Sequence, residues 1–273
     1  AAQRNLRITA EGWYYPKYKI QEAAERFMKN HPDVKVTCDK IEMMDIAAYM
    51  LRWSRGKTDV DLLISRTPAE LAAFVAKDLL VDFEDIFTGE FSKDNWVSGF
   101  LDACTIKGKI YGLGTDCAVF TLIAREDWMK EAGLADSEGK AIAPKNLDEL
   151  YDYTRKLTRK DGTGKTVRYG LEARWHEVTV LQTYISGIQP LRGNIFEPDG
   201  TTVDFSSKEA HEWLDFWYKG VKDGYMSNAC VVDHNAPRSH MKSGITSMIW
   251  VDQARFNECG KVLGFDKLTI LPV

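Results

Sequence analysis

The chain has 273 residues, 44% of them hydrophobic, and its 36 Lys plus Arg against 40 Asp plus Glu give a formal net charge of −4. That length suits two modest domains better than one core, because single cores stop growing near this size. The charge balance argues against a nucleic-acid partner, which calls for a basic face, and five cysteines without a C-x-x-C pair exclude a dense disulfide framework and a zinc ribbon.

In chain order, "LRITA" reads as a strand and "PKYKIQEAAERFMKN" as a helix, with Ile20, Ala23, Ala24, Phe27 and Met28 on one stripe at helical spacing. "VKVTCD" is a second strand, and "DIAAYMLRWSRG" a second helix closed by Gly56. "DVDLLIS" is a third strand whose continuous apolar run suits a parallel strand covered on both faces. "RTPAELAAFVAKDLL" follows as a helix with Thr67 as N-cap, Pro68 at the first helical position and Glu70 completing a capping box. This alternation predicts a parallel sheet with helical crossovers.

"GKIYGLGTDCAVFTLIAREDWMKEAGL" (108–134) reads as one hydrophobic strand, interrupted by Gly114, Thr115 and Asp116, that runs into a short amphipathic helix. Beyond it, "NLDELYDYTRKLTRKDGTG" is a helix started by Asn146, "YGLEA" a strand and "EVTVLQTYISG" a short helix; Asp199–Gly200 signals a hairpin. "SSKEAHEWLDFWYKGVKDG" is an amphipathic helix with Ala210, Trp213, Leu214, Trp217 and Val221 on one side. "APRSHMKSG" is a helix, "ITSMIWV" a strand, "DQARFNECG" a helix and "KLTILPV" a last strand. No apolar run is long enough to span a bilayer. The division is two α/β lobes joined near residues 112–118.

Chemistry-bearing motifs are scarce. There is no G-x-S-x-G, no H-E-x-x-H and no calcium-loop pattern. "DGTGKT" (161–166) has Arg159 where a phosphate loop needs its first glycine, and it follows a helix and precedes a strand, the reverse of what phosphate cradling needs. His234 and His240 are six apart, off a common helical face, so Asp233, His234 and His240 make a poor metal set. Asp82, Glu84 and Asp85 read as a solvated loop. No catalytic residue, metal or cofactor is expected.

Aromatics carry more. Trp13 and Tyr14 follow the first strand directly, at the carboxyl end of a parallel sheet, where open α/β sheets bind ligands. Ser65 and Arg66 follow the third strand, Trp175 follows "YGLEA", and Trp250 and Asp252 end "ITSMIWV". Rings that stack on C–H faces, together with Asp, Arg and Ser that take hydroxyls, match what a sugar presents. Trp213 and Trp217, on a helix stripe, read as core.

The order of "LRITAEGWY", "AAERFMKNHPDVKV", "DVDLLIS", "LLVDFEDI", the 108–134 stretch and "MKSGITSMIW" resembles the extracellular solute-binding proteins of ABC transporters, family 1. The resemblance covers nearly the whole chain. It departs at Gly114, where the family often has Pro, and at Ala124–Arg125, where it often has Tyr–Asn. It implies a two-lobe, type II periplasmic-binding-protein-like α/β fold, each lobe a mostly parallel sheet flanked by helices. The lobes would be residues 1–115 and 116–267, with 268–273 a second crossover strand. Family members continue past such a strand, so the fold is expected to be incomplete at its C-terminus, with apolar surface exposed on the first lobe.

The implied function is capture of a carbohydrate by hinge closure and delivery to an ABC permease. The protein would be a periplasmic or extracellular monomer, with a lipid anchor where the cell has one membrane. Trp13, Tyr14, Trp175 and Trp250 would stack on the sugar; Asp45, Ser65, Arg66, Asp116 and Asp252 would take its hydroxyls. Asp116 would be a buried carboxylate on the crossover strand, or else the cap of a turn. Alternatives are a polyamine, a metal chelate or an organophosphate as ligand, or an enzyme on the same scaffold.

Overall fold

The computed structural model describes residues 3–42, 44–57, 59–65, 67–177, 179–197 and 202–272. The chain divides into two compact units, Ala1–Cys117 and Ala118–Val273.

In the first unit, β1 (Arg4–Glu11), β2 (Val34–Ile41) and β3 (Leu62–Ile64) form a parallel sheet in the order β2-β1-β3. The helices are α1 (Tyr14–Tyr18), α2 (Ile20–Asn30), α3 (Ile46–Ser54), α4 (Ala69–Val75) and α5 (Ser98–Ala103), and β4 (Thr105–Ile106) and β5 (Lys109–Ile110) make a small hairpin. The helix expected over 16–30 is two helices, because Lys19 takes a left-handed conformation, φ 50°, which caps α1 and opens α2. Of its expected stripe, Ile20 and Ala24 are buried and Met28 half-buried, while Ala23 and Phe27 face solvent. β3 is only three residues long and Leu62 is 45% exposed, so two-sided cover is not found there. Pro68, expected inside the following helix, is its N-cap instead.

The second unit comprises β6 (Phe120–Arg125), α6 (Glu126–Glu131), α7 (Leu147–Leu157), β7 (Arg159–Lys160), β8 (Thr166–Ala173), α8 (Val180–Arg192), α9 (Lys208–Lys222), α10 (Ala236–Ser243), β9 (Thr246–Asp252), α11 (Ala254–Leu263) and β10 (Leu268–Leu271). Its sheet runs β10-β6-β9-β8-β7, and only the β8–β9 pair is parallel. The expected mostly parallel sheet therefore holds for the first unit and not for the second. The register explains why: Phe120, where β6 begins, lies opposite Asp252, where β9 ends, so β6 runs against its neighbour. β10 pairs antiparallel with β6 at the sheet edge.

Local chemistry fits these bounds. The side chains of Asn146 and Ser207 accept the N–H groups of Glu149 and Ala210, capping α7 and α9. α9 buries Ala210, Trp213, Phe216, Trp217 and Gly220, so its stripe lies beside the expected one: Leu214 and Val221 are 39% and 37% exposed. Gly187 of α8 allows the close approach of α9, because a Cβ there would lie 2.0 Å from the Trp213 indole. Asp199 and Gly200 lie outside the described residues, although Phe196 and Val203 on either side form an antiparallel bridge. No helix among the described residues is long and apolar enough to cross a membrane.

Candidate functional site

In the first unit the carboxyl ends of β1, β2 and β3 share one edge of the sheet. The last residue of β1, Glu11, is fully buried. Its Oε2 accepts from Trp13 Nε1 at 2.6 Å and its Oε1 from the Met44 N–H at 2.7 Å, so one carboxylate fixes an indole and the loop before α3. Trp13 is 49% exposed and stacks on Tyr14, with ring centroids 3.7 Å apart. Tyr14 is itself buried, and its hydroxyl donates to the Ser65 carbonyl at 3.3 Å. It backs the Trp13 platform and ties it to the end of β3.

Beside the platform, Lys17 forms an ion pair with Asp116, and the Tyr18 hydroxyl donates to Asp116 Oδ1 at 2.7 Å. Lys17 Nζ also lies 5.5 Å from the Trp13 ring centre and 4.9 Å from that of Tyr18. Burial pushes the Asp116 carboxyl up, but Lys17 and Tyr18 outweigh it and hold its pKa below the usual value. The Lys17 ammonium is pulled down by burial and raised further by the same partners, ending above its usual value. Asp116 is neither buried nor on a strand: its side chain is 46% exposed, and residues 111–119 carry no ladder. Outside any ladder, the stretch is held by backbone bonds at its ends, Tyr111 N–H to the Cys104 carbonyl and Val119 N–H to Gln253 Oε1, and the carboxylate between them stays open to solvent. Asp45 is exposed and caps α3 by accepting the Ala48 N–H at 2.9 Å. Arg66 lies outside the described residues.

In the second unit β8 and β9 end side by side, with Ala173 opposite Trp250. Arg174 NH1 therefore reaches Asp252 Oδ2 at 2.8 Å, and Arg255 Nε reaches the same oxygen at 3.2 Å. Burial pulls the Arg174 guanidinium below its usual pKa in spite of Asp252. Trp175 is half-buried and packs edge-on to Trp217 at 5.7 Å; with Trp217, Tyr218 and Val231 it lines an apolar groove of about 270 Å³. A larger hollow, about 660 Å³, opens between α7 and α9 around Tyr151, Asp215 and Tyr218, away from any strand's carboxyl end.

Trp250 does not belong to this surface. It is 3% exposed, sits in the core beside Trp213 at 5.1 Å, and donates to Ser186 Oγ at 2.8 Å. Every side chain of β9 is buried, so the indole turns inward although it lies near a strand end. Among the predicted residues Trp13, Tyr14, Ser65 and Asp116 come together in the first unit; in the second, Asp252 pairs with Arg174, while Trp175 packs on Trp217 and lines the apolar groove. Sequence reasoning missed Glu11, Lys17, Tyr18, Arg174 and Arg255. The only signal for them was adjacency to "GWYYP", "EARW" and "VDQA".

The description of the bacterial extracellular solute-binding protein family matches residues 15–251. No protein among the curated sequences matches. Among solved structures, the GacH receptor of Streptomyces glaucescens, determined unliganded and with acarbose, is 17% identical at TM-score 0.76, covering 100% of this chain and 67% of that one. The sugar-binding protein MalE of Xanthomonas citri is also 17% identical at TM-score 0.76, covering 98% and 66%. The maltose/maltodextrin-binding MalE domain of Bdellovibrio bacteriovorus, bound to maltotriose, is 17% identical at TM-score 0.70, covering 97% and 64%. The chain thus spans about two thirds of the length of these proteins. Their likeness establishes the type II periplasmic-binding-protein fold. With the family pattern running from α1 to the penultimate residue of β9, the chain belongs to the bacterial extracellular solute-binding proteins.

Proposed function

We propose that the protein is the solute-capturing component of an ABC importer. It binds a mono- or oligosaccharide outside the cytoplasmic membrane, as a monomer, and hands it unchanged to a permease. The observation that carries this reading is the half-exposed Trp13 ring beside the Asp116 carboxylate. The ring offers a face for sugar C–H groups, worth about 0.5–1.5 kcal/mol beyond area burial. The carboxylate and its Lys17 and Tyr18 partners offer acceptors and donors for hydroxyls. On the second unit Trp175 lines an apolar groove, and the residue before it, Arg174, pairs with Asp252. The fold relatives described above bind acarbose and maltotriose, which supports the same ligand class here.

Calorimetry with a panel of saccharides tests the reading, together with mass spectrometry of the ligand recovered after binding. Micromolar affinity corresponds to about −8 kcal/mol, and the recovered sugar should be intact. Tight binding of spermidine with no saccharide bound would defeat the proposal. So would recovery of a cleaved sugar.

A further inference from the structure

The ion pairs at the ends of β8 and β9 continue into a larger network. Asp252 accepts from Arg174 and Arg255, at 2.8 and 3.2 Å. Glu258 accepts from Arg255 at 2.9 Å, Arg238 at 3.2 Å and Lys242 at 2.7 Å. Four cations therefore share two carboxylates. None of the four is freely solvated: side-chain exposure is 13% for Arg174, 25% for Arg255, 28% for Arg238 and 29% for Lys242. Glu172, two residues before Arg174 and fully buried, is taken by His240 Nδ1 at 2.8 Å and the Ser227 hydroxyl at 3.0 Å, and Asp233 and Glu177 are exposed. Asp233 spends one oxygen on the Asn235 N–H at 2.9 Å, and solvent screens exposed charges strongly.

A surplus of partly buried positive charge is costly unless something pairs with it. A saccharide hydroxyl is a weak answer, since it brings no charge. A carboxylate or phosphate brings both charge and the two-oxygen edge that a guanidinium fork matches. Arg174 directly precedes Trp175, whose ring lines the apolar groove.

Resting on the saccharide reading above, we propose that the ligand is an acidic saccharide, whose carboxylate or phosphate pairs with Arg174 and Arg255 at the ends of β8 and β9. Trp175 then takes the sugar ring next to the acidic group. The acidic group is the larger discriminator, because a neutral analogue leaves the cation surplus unanswered.

The test is calorimetry on the full chain with matched pairs: glucose, galactose and mannose, each against its uronic acid and its 6-phosphate, and lactose against sialyllactose. The acidic member should bind at least about tenfold more tightly, the range charge-assisted hydrogen bonds support. The preference should fade in wild type as ionic strength rises from about 0.01 to about 1 M, where the screening length falls from about 30 to about 3 Å. The uronate and phosphate arms decide which acid is read. Arg255→Gln, checked for an unchanged melting profile, should bring the acidic-to-neutral ratio close to unity; Arg174→Gln serves if that variant unfolds. Equal or tighter binding of the neutral members overturns this inference and leaves saccharide capture standing. Binding of no saccharide, acidic or neutral, overturns both.

Discussion

The Glu11 carboxylate, with no exposed surface, holds the Trp13 indole N–H at 2.6 Å while its other oxygen takes the Met44 N–H at 2.7 Å. A buried acid at the end of a strand is tolerated only if its oxygens are paired, and here the pairing orients the candidate sugar platform. Glu11→Ala should therefore cost about 1–3 kcal/mol through the unmet donors it leaves behind. It should also red-shift tryptophan fluorescence as the Trp13 ring is freed. Urea unfolding and emission spectra measure both, and an unchanged midpoint would show that the contact is incidental.

Trp13 and Trp250 separate platform from core. Trp13→Ala should weaken saccharide binding by about 0.5–1.5 kcal/mol with little loss of stability, since half of the ring is already in water. Trp250→Ala empties a core site bonded to Ser186 and should destabilise by about 3–5 kcal/mol. Paired calorimetry and thermal melts read the contrast. A large affinity loss in a Trp250→Ala protein that remains folded would reverse the assignment.

That contrast marks how far the sequence could be read. Strand–helix alternation foretold a parallel sheet in the first unit but not its β2-β1-β3 order, and the carboxyl-end rule led to Trp13, which is half-exposed, and to Trp175, which lines a groove. The direction of β6 was beyond reach, because hydrophobic period carries no strand polarity. Trp250 was misjudged for a related reason: on a strand buried on both faces, nearness to the strand end does not decide whether a ring faces solvent. Glu11 and Lys17 were missed because their partners, Met44 and Asp116, are distant in sequence, and no local pattern records such a meeting.

Glu258 makes the second unit sensitive to acid. Burial pushes its carboxyl up, but Lys242, Arg255 and Arg238 outweigh that and bring its pKa down to about 2 from the ordinary 4.5. A depressed carboxylate contributes stability that is fully present above its unfolded value and is lost as pH falls through the folded one. The window here is about pH 4.5 down to about 2. The contribution is on the order of 1–3 kcal/mol after allowing for partial exposure. Melting temperature followed from pH 6 to 2.5 should fall less steeply in Glu258→Gln than in wild type. Parallel curves would remove Glu258 from the acid response.

The ion pair of Asp116 with Lys17 ties residue 116, just before the boundary between the units, to α1. Both side chains are more than two-fifths exposed, so the pair contributes only about 0–1 kcal/mol to global stability. Its effect should be local. Asp116→Asn keeps the shape and removes the charge, so cleavage within residues 114–119 by a nonspecific protease should quicken while the melting temperature barely moves. Acid should mimic the substitution: the Asp116 pKa is lowered, so the pair persists above the ordinary carboxylate value and fails as pH drops through the lowered one. Ligand should oppose it, since a saccharide hydroxyl seated on Asp116 holds the same segment, and added sugar should slow cleavage in wild type. If cleavage at 114–119 were the same in wild type and Asp116→Asn, with and without sugar, the carboxylate would be a solvated side chain with no part in holding the connection.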